Sequence, residues 1–146
     1  HNYLITDNYQ EDRKEKAVER TSSTNIGLSM LAVISAYDLR IIEIDKCLDL
    51  LEKIIKTVES LEKWNGHLYN WYNTKKLMPL IPRYISTVDS GNFVGYLYTL
   101  KTFLLNLYQI FYPLMLAVTQ PQHFLMLLML LYFVLNMNHI NYINNY

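Results

Sequence analysis

The chain has 146 residues, enough for one domain or for a piece of a larger one. Thirteen basic and thirteen acidic residues cancel, so charge gives no reason to expect a nucleic acid or another polyanion as partner. A single cysteine, Cys47, excludes an intrachain disulfide and a multi-cysteine metal site.

The neutral total hides an asymmetry. Of the 26 charged residues, 25 lie in residues 1–89, and Lys101 is the only one beyond them. The chain starts at His1 with neither an initiator Met nor a signal-peptide pattern, which suggests a piece of a longer protein.

Residues 1–23, HNYLITDNYQEDRKEKAVERTSS, are polar and carry no helical apolar stripe, so they read as an extended surface lead-in. A helix is expected from Ile26 to Leu39, with Ser23 or Thr24 as N-cap. It is small or apolar on nearly every side, and a helix without a polar face must be covered all round. It therefore reads as an inner, buried helix.

The next segment places Ile44, Cys47, Leu48, Leu51, Ile54, Ile55, Val58 and Leu61 at three- and four-residue spacing. Asp49/Lys53, Glu52/Lys56 and Glu59/Lys63 form i,i+4 acid–base pairs on the other side. This is an amphipathic outer helix. Its charges make a solvated face.

WNGHLYNWYNTKKLMPLIPRYISTVDSGN, residues 64–92, is rich in rings and amides and broken by glycine and proline. Gly66 is expected to end the preceding helix in a left-handed C-cap. Pro79 and Pro82 impose extended conformations before them. Asp89 or Ser90 is expected to cap a second apolar helix beginning near Asn92, with Gly95 admitting a close neighbour. Pro113 and Pro121 then interrupt the apolar run, and residues 124–138 form a last helical candidate.

The pattern is all-α: about four helices of alternating inner and outer type, with a long aromatic loop between the second and third. Such alternation describes part of an (α/α)6 toroid, whose inter-helix loops build a cleft at one end.

Tyr69, Trp71 and Tyr72 offer flat apolar faces, and Asn70, Asn73, Arg83, Ser86, Asp89, Ser90 and Asn92 offer donors and acceptors. Carbohydrate presents the matching mixture of C–H patches and hydroxyls. Buried polar groups discriminate because each unpaired one costs about 1–3 kcal/mol. The competing reading is a loop folded onto its own aromatics.

Three strings carry a resemblance: ERTSSTNIGL at Glu19–Leu28, GHLYNWYNT at Gly66–Thr74 and PRYISTVDSGN at Pro82–Asn92. They resemble RTSPTNIGL, GHFYNWYDT and PRYVSTVDSGN of the cyclic β-1,2-glucan synthases. They occur in the family's order, over roughly Asp7 to Leu104. The resemblance places residues 1–104 in the N-terminal part of that family's glucoamylase-like (α/α)6 region. That region lies between a glycosyltransferase domain and a glycoside-phosphorylase-like domain.

The resemblance implies a parent enzyme that extends β-1,2-glucan from UDP-glucose, and a glucoamylase-like region that closes the ring by retaining transglycosylation. It also implies work at the cytoplasmic face of the inner or plasma membrane, with membrane association only through the parent. The partners implied are the β-1,2-glucan chain and the parent's other domains, with UDP-glucose handled elsewhere and no cofactor in this segment. Retaining chemistry needs two carboxylates about 5–5.5 Å apart. Near the matched loops stand Glu19 and Asp89, which are not clearly paired, so the catalytic glutamates are expected downstream. Asp89 is the one weak catalytic candidate.

The expected contribution of this chain is an early wall of the glucan cleft. Arg20, Asn25, Tyr69, Asn70, Trp71, Tyr72, Asp89 and Asn92 are the contact candidates. Asp89 has a competing role as helix cap or as partner of Arg20 or Arg83. The alternative function is a non-catalytic carbohydrate-binding or scaffold segment. A small membrane protein is a third, weaker reading that rests on the tail. His67 stands alone, which is the pattern of a structural histidine, and no metal or nucleotide site is expected. Two departures stand out: Asn73, where the family usually has Asp, and LITDNY, where it tends to have PPDNY.

Residues 105–146 do not match the family. They carry no charged side chain, and the last apolar run, Phe124 to Leu135, is shorter than the about 20 residues a spanning helix needs. The tail fits a membrane segment poorly. It fits a core helix with missing partners, or an out-of-frame translation. Four helices cannot close a twelve-helix ring, so the isolated chain is expected to be poorly soluble and inactive. The out-of-frame reading predicts that another frame of the encoding DNA past residue 104 yields family-like sequence; a DNA read with no such frame refutes it.

Overall fold

The computed structural model describes residues 2–12, 14, 16–117, 127–132 and 136. Three helices dominate: α1 (Ser23–Asp38), α2 (Ile44–Ser60) and α3 (Thr87–Ala117). Residues 127–132 form a further helical stretch. The chain is not purely helical. Strand β1 (Arg20–Thr21) pairs antiparallel with β4 (Tyr72–Asn73), and β2 (Lys63–Trp64) pairs with β3 (His67–Leu68).

α2 forms for the reason its spacing announces. Cys47, Leu48, Leu51, Ile54, Ile55 and Val58 are buried along one face. Lys53 and Lys56 pair with Asp49 and Glu52 on the other. Full burial of each Leu, Ile or Val contributes about 1.5–3 kcal/mol, against a few tenths for each exposed pair. The apolar face therefore decides the docking. The third expected pair is replaced. Lys63 Nζ reaches back to the carbonyls of Val58 (2.7 Å), Glu59 (3.0 Å) and Leu61 (3.0 Å) and caps the helix end. Burial pushes the Lys63 ammonium below its ordinary pKa, partly opposed by Glu59. Cys47 is buried as well, and burial, with a smaller effect of Asp38, raises its thiol to about 11.

The caps differ from the expected residues. Ser22, not Ser23 or Thr24, caps α1 by accepting from the Asn25 N–H. α2 ends at Ser60, and Gly66 does not cap it. Asn65 (φ 48°) and Gly66 (φ 83°) instead form the tight turn between β2 and β3. An Asn-Gly pair is suited to such a turn because both residues accept positive φ. α3 begins at Thr87, with Ser86 Oγ accepting from the Asp89 N–H. It runs through Pro113, where an interruption was expected. Proline removes one i→i−4 bond, and here the flanking turns continue the helix. Of the last helical run, residues 127–132 and 136 are described; Pro121 and the rest of that run lie outside the described residues.

α1 and α3 run parallel, since their contacts advance together. Thr24 meets Asp89 and Asn92, Gly27 meets Tyr96, and the Tyr37 ring meets Phe103 edge-on at 5.8 Å. The close approach is at Gly27, where an added Cβ would lie 2.1 Å from Tyr96 Cδ2. Gly95, the glycine expected to do this, faces open space. α2 turns back after residues 39–43, so that Cys47 Sγ reaches the Val33 carbonyl. Ile26, Met30, Leu51, Phe93, Leu97, Leu100 and Leu104 fill the shared core, joined by Leu127, Leu130 and Leu131.

Among the described residues, the two apolar helices keep exposed apolar positions. Leu28 on α1 and Val88, Tyr98, Leu105 and Ile110 on α3 are exposed. The N-terminal segment is more than a surface lead-in. Leu4 is buried, Tyr9 bridges Ala17, and the Asp7 N–H donates to the Arg20 carbonyl.

Gly27→Ala is expected to destabilise the fold by about 1–3 kcal/mol, because the new methyl meets the base of the Tyr96 ring, which cannot swing aside freely. Urea unfolding of G27A against G27A/Y96A checks this; the second change should restore part of the loss.

Candidate functional site at the aromatic connector

The connector between α2 and α3 is held at both ends. β4 pairs with β1 just before α1, and the Thr74 N–H donates to the Glu19 carbonyl. The Leu80 N–H returns to the Trp71 carbonyl, and the Asn70 N–H donates to the Tyr84 carbonyl. These bonds bring the strings around Arg20, Trp71 and Asp89 to the end of the molecule where α1 and α3 begin.

A chain of polar contacts crosses that end. Arg20 Nε and Nη2 both donate to Asp7 Oδ2, at 3.1 and 2.9 Å. Asn25 Nδ2 donates to the other oxygen of Asp7 at 3.2 Å. The Arg20 guanidinium lies 4.5 Å above the centre of the Trp71 ring. The Asn70 amide satisfies its neighbours when its nitrogen faces Asp89. It then donates to Asp89 Oδ2 (2.8 Å) and accepts from Trp71 Nε1 and the Tyr84 hydroxyl (both 2.6 Å). Thr24 Oγ1 donates to Asp89 Oδ1 at 2.6 Å and accepts from Asn92 Nδ2 at 3.3 Å.

A second group flanks the first. Arg83 Nη1 donates to Glu62 Oε1 at 2.8 Å, and its guanidinium stands 5.8 Å from the centre of the Tyr69 ring. Beneath it, the Tyr72 hydroxyl accepts from the Tyr69 N–H (2.8 Å) and donates to the Glu62 carbonyl (2.7 Å).

The eight contact candidates thus divide. Tyr72 has no exposed surface and is corrected to an internal support of the loop, because its ring and hydroxyl are both used by the fold. Asn70 is also buried and holds the loop to α3. Asp89 joins Thr24 and Asn70; Arg20 and Arg83, its expected partners, use Asp7 and Glu62 instead. Arg20, Asn25, Tyr69 and Trp71 are partly exposed, and Asn92 is exposed.

Asn73 is a turn former, its Oδ1 accepting from the N–H groups of Lys75 and Lys76. An aspartate would accept the same bonds, so the departure from the family's Asp leaves the local structure intact. Asp7, Glu62 and Tyr84 were missed from sequence. The signal for Asp7 lay in the shared DNY of LITDNY.

Each acid named around the connector has a polar partner: Asp7 holds Arg20, Glu62 holds Arg83, and Asp89 accepts from Thr24 and Asn70. Glu19 is bonded to Lys75, which holds its carboxyl below the usual range. Two concavities, of about 440 and 250 Å³, lie elsewhere and are lined by none of the eight candidates.

No protein-family profile matches the chain. Over 96 residues, 66% of its length, the chain is 46% identical to the cyclic β-(1,2)-glucan synthase NdvB of Rhizobium meliloti (strain 1021). The segment is homologous to part of a cyclic β-1,2-glucan synthase. It spans only 3% of that synthase.

Solved structures give the fold. A glucoamylase-like protein of Bacteroides fragilis NCTC 9343 superposes on 92% of the chain with a TM-score of 0.69 at 14% identity. One from Bacteroides caccae ATCC 43185 covers 92% with a TM-score of 0.68 at 11% identity. The endo-β-1,2-glucanase of Chitinophaga pinensis, solved with sophorotriose and glucose, covers 88% with 0.64 at 12%. The chain accounts for 29%, 30% and 28% of these three. The fold likeness covers more of the chain than the synthase match does.

Tyr72→Phe is expected to cost about 1–2 kcal/mol in urea unfolding, since it removes both hydrogen bonds of a fully buried side chain, to the Tyr69 N–H and the Glu62 carbonyl. Asp7→Ala should cost less, about 0.5–1 kcal/mol, because Arg20 keeps access to water. It should also shift Trp71 emission in a Trp64→Phe background as the guanidinium leaves the ring. Unchanged emission would detach Asp7 from the aromatic group.

Proposed function

We propose that the chain is one wall of the glucan cleft in the glucoamylase-like domain of a cyclic β-1,2-glucan synthase. One observation carries this reading. Three strings far apart in sequence, which resemble that family, converge on a single cluster joining Arg20, Asn25, Asn70, Trp71, Tyr84, Asp89 and Asn92. The fold neighbour with sophorotriose, an endo-β-1,2-glucanase, supports a β-1,2-glucan as ligand.

In this reading the partly exposed rings of Trp71, Tyr69 and Tyr84 stack on sugar faces. Arg20, Arg83 and Asn92 address hydroxyls. Asp89, Asn70 and Tyr72 hold the wall in place. The parallel α1 and α3 are inner helices of an (α/α)6 toroid and α2 an outer one, and the domain acts by transglycosylation. UDP-glucose and the membrane are the concern of other domains of the parent, which works at the cytoplasmic face of the inner or plasma membrane.

The commitment of Asp7, Glu62 and Asp89 to internal partners favours a binding wall whose catalytic carboxylates lie elsewhere in the parent. It equally favours the second reading, a carbohydrate-binding segment of a non-catalytic protein. The two separate on the parent protein, by its ability to close rings.

Tryptophan fluorescence at low protein concentration tests the binding. A saturable change with linear β-1,2-gluco-oligosaccharides is expected, with affinity at least about tenfold above that for β-1,4-linked ones (about 1.4 kcal/mol). Arg83→Ala with Asn92→Ala should remove most of that preference. No response, or an equal response to both linkages, overturns the proposal.

A further inference from the structure

The β2–β3 hairpin has two unlike faces. Strand alternation puts Lys63 and Leu68 on one side and Trp64 and His67 on the other. The first side is spent on the fold: Leu68 is buried and Lys63 caps α2. The second continues into Glu62 and Tyr69, which Arg83 and the Tyr72 hydroxyl tie together. Glu62, Trp64, His67 and Tyr69 therefore line one strip.

Trp64 is 56% exposed. A tight Asn65–Gly66 turn holds it out there, two residues along the chain from Glu62, which carries an exposed ion pair with Arg83. Two strand residues separate its level from that of Glu62 and Tyr69, roughly 7 Å. That is a distance on the scale of a sugar ring. A flat apolar face and, one step along, a paired donor and acceptor match a glucosyl unit: ring C–H groups for the indole, hydroxyls for the ion pair.

We propose that Trp64 is an outer stacking platform for a glucosyl residue distal to those held at Trp71 and Tyr69, so that the wall grips longer β-1,2-glucan chains more tightly than short ones. This rests on the cleft reading above and adds to it a subsite and a dependence on chain length.

The test compares the unmodified chain with Trp64→Ala and Trp64→Phe by fluorescence titration at low protein concentration, with Trp71 as the reporter in the variants, using linear β-1,2-gluco-oligosaccharides of three units and of about seven. Trp64→Ala is expected to weaken the longer ligand about fivefold or more and to leave the trisaccharide within about twofold. Trp64→Phe, which keeps a ring, should retain most of the longer ligand's affinity. An unchanged thermal melt is expected for both variants, since Lys63 and Leu68 do the packing. If Trp64→Ala binds both ligands as the unmodified chain does, the platform is refuted while the cleft stands. If it weakens both equally, Trp64 belongs to the central group and no outer subsite exists. If the unmodified chain binds neither, the cleft reading falls and takes this one with it.

Discussion

The parallel packing of α1 on α3 is the constraint from which the rest follows. Gly27 lets the Tyr96 ring lie against α1, and Asp89 closes the gap one turn earlier through Thr24. With both helices starting at the same end, β1 and the Asp89 turn become neighbours. The connector returning from α2 then has one place to lie, and it ties itself there through the β1–β4 pairing and the Asn70 amide. A carboxylate in the first turn of α3 also suits the positive end of that helix.

The connector is layered. Tyr72, buried to its hydroxyl, is the inner layer and fixes the backbone at Tyr69 and Glu62. Outside it lie rings held in defined positions by cations: Trp71 under Arg20 and Tyr69 beside Arg83. Each guanidinium is itself held by an acid, Asp7 or Glu62. The cations are thus neutralised locally and still available as donors. Charge pairing holds the two rings in place without leaving a net charge at either cation.

Much of this was legible in the sequence where polarity alternates. The faces of α2 were correct nearly residue by residue, because apolar and charged positions separate cleanly at helical spacing. The three strings were rightly read as parts of one region. Errors fell where local chemistry admits two outcomes. Asn65–Gly66 serves a hairpin turn as well as a helix end, and Gly66 was given the wrong one. A tyrosine beside a tryptophan reads the same whether it faces a ligand or the core, and Tyr72 faces the core. Asp7 was overlooked because its partners are 13 and 18 residues away, beyond the reach of any local pattern.

What the sequence determined by itself was composition and period: an amphipathic helix, two apolar helices and a ring-rich connector between them. It could not choose which side of an apolar helix turns inward. On α3, Phe93, Leu97, Leu100 and Leu104 are buried while Tyr98, Leu105 and Ile110 are exposed, though either set would serve a core. That choice belongs to the tertiary structure, because with no polar stripe to orient it the helix takes its rotation from close contact. Only Gly27, of the two glycines in question, has a ring lying over it.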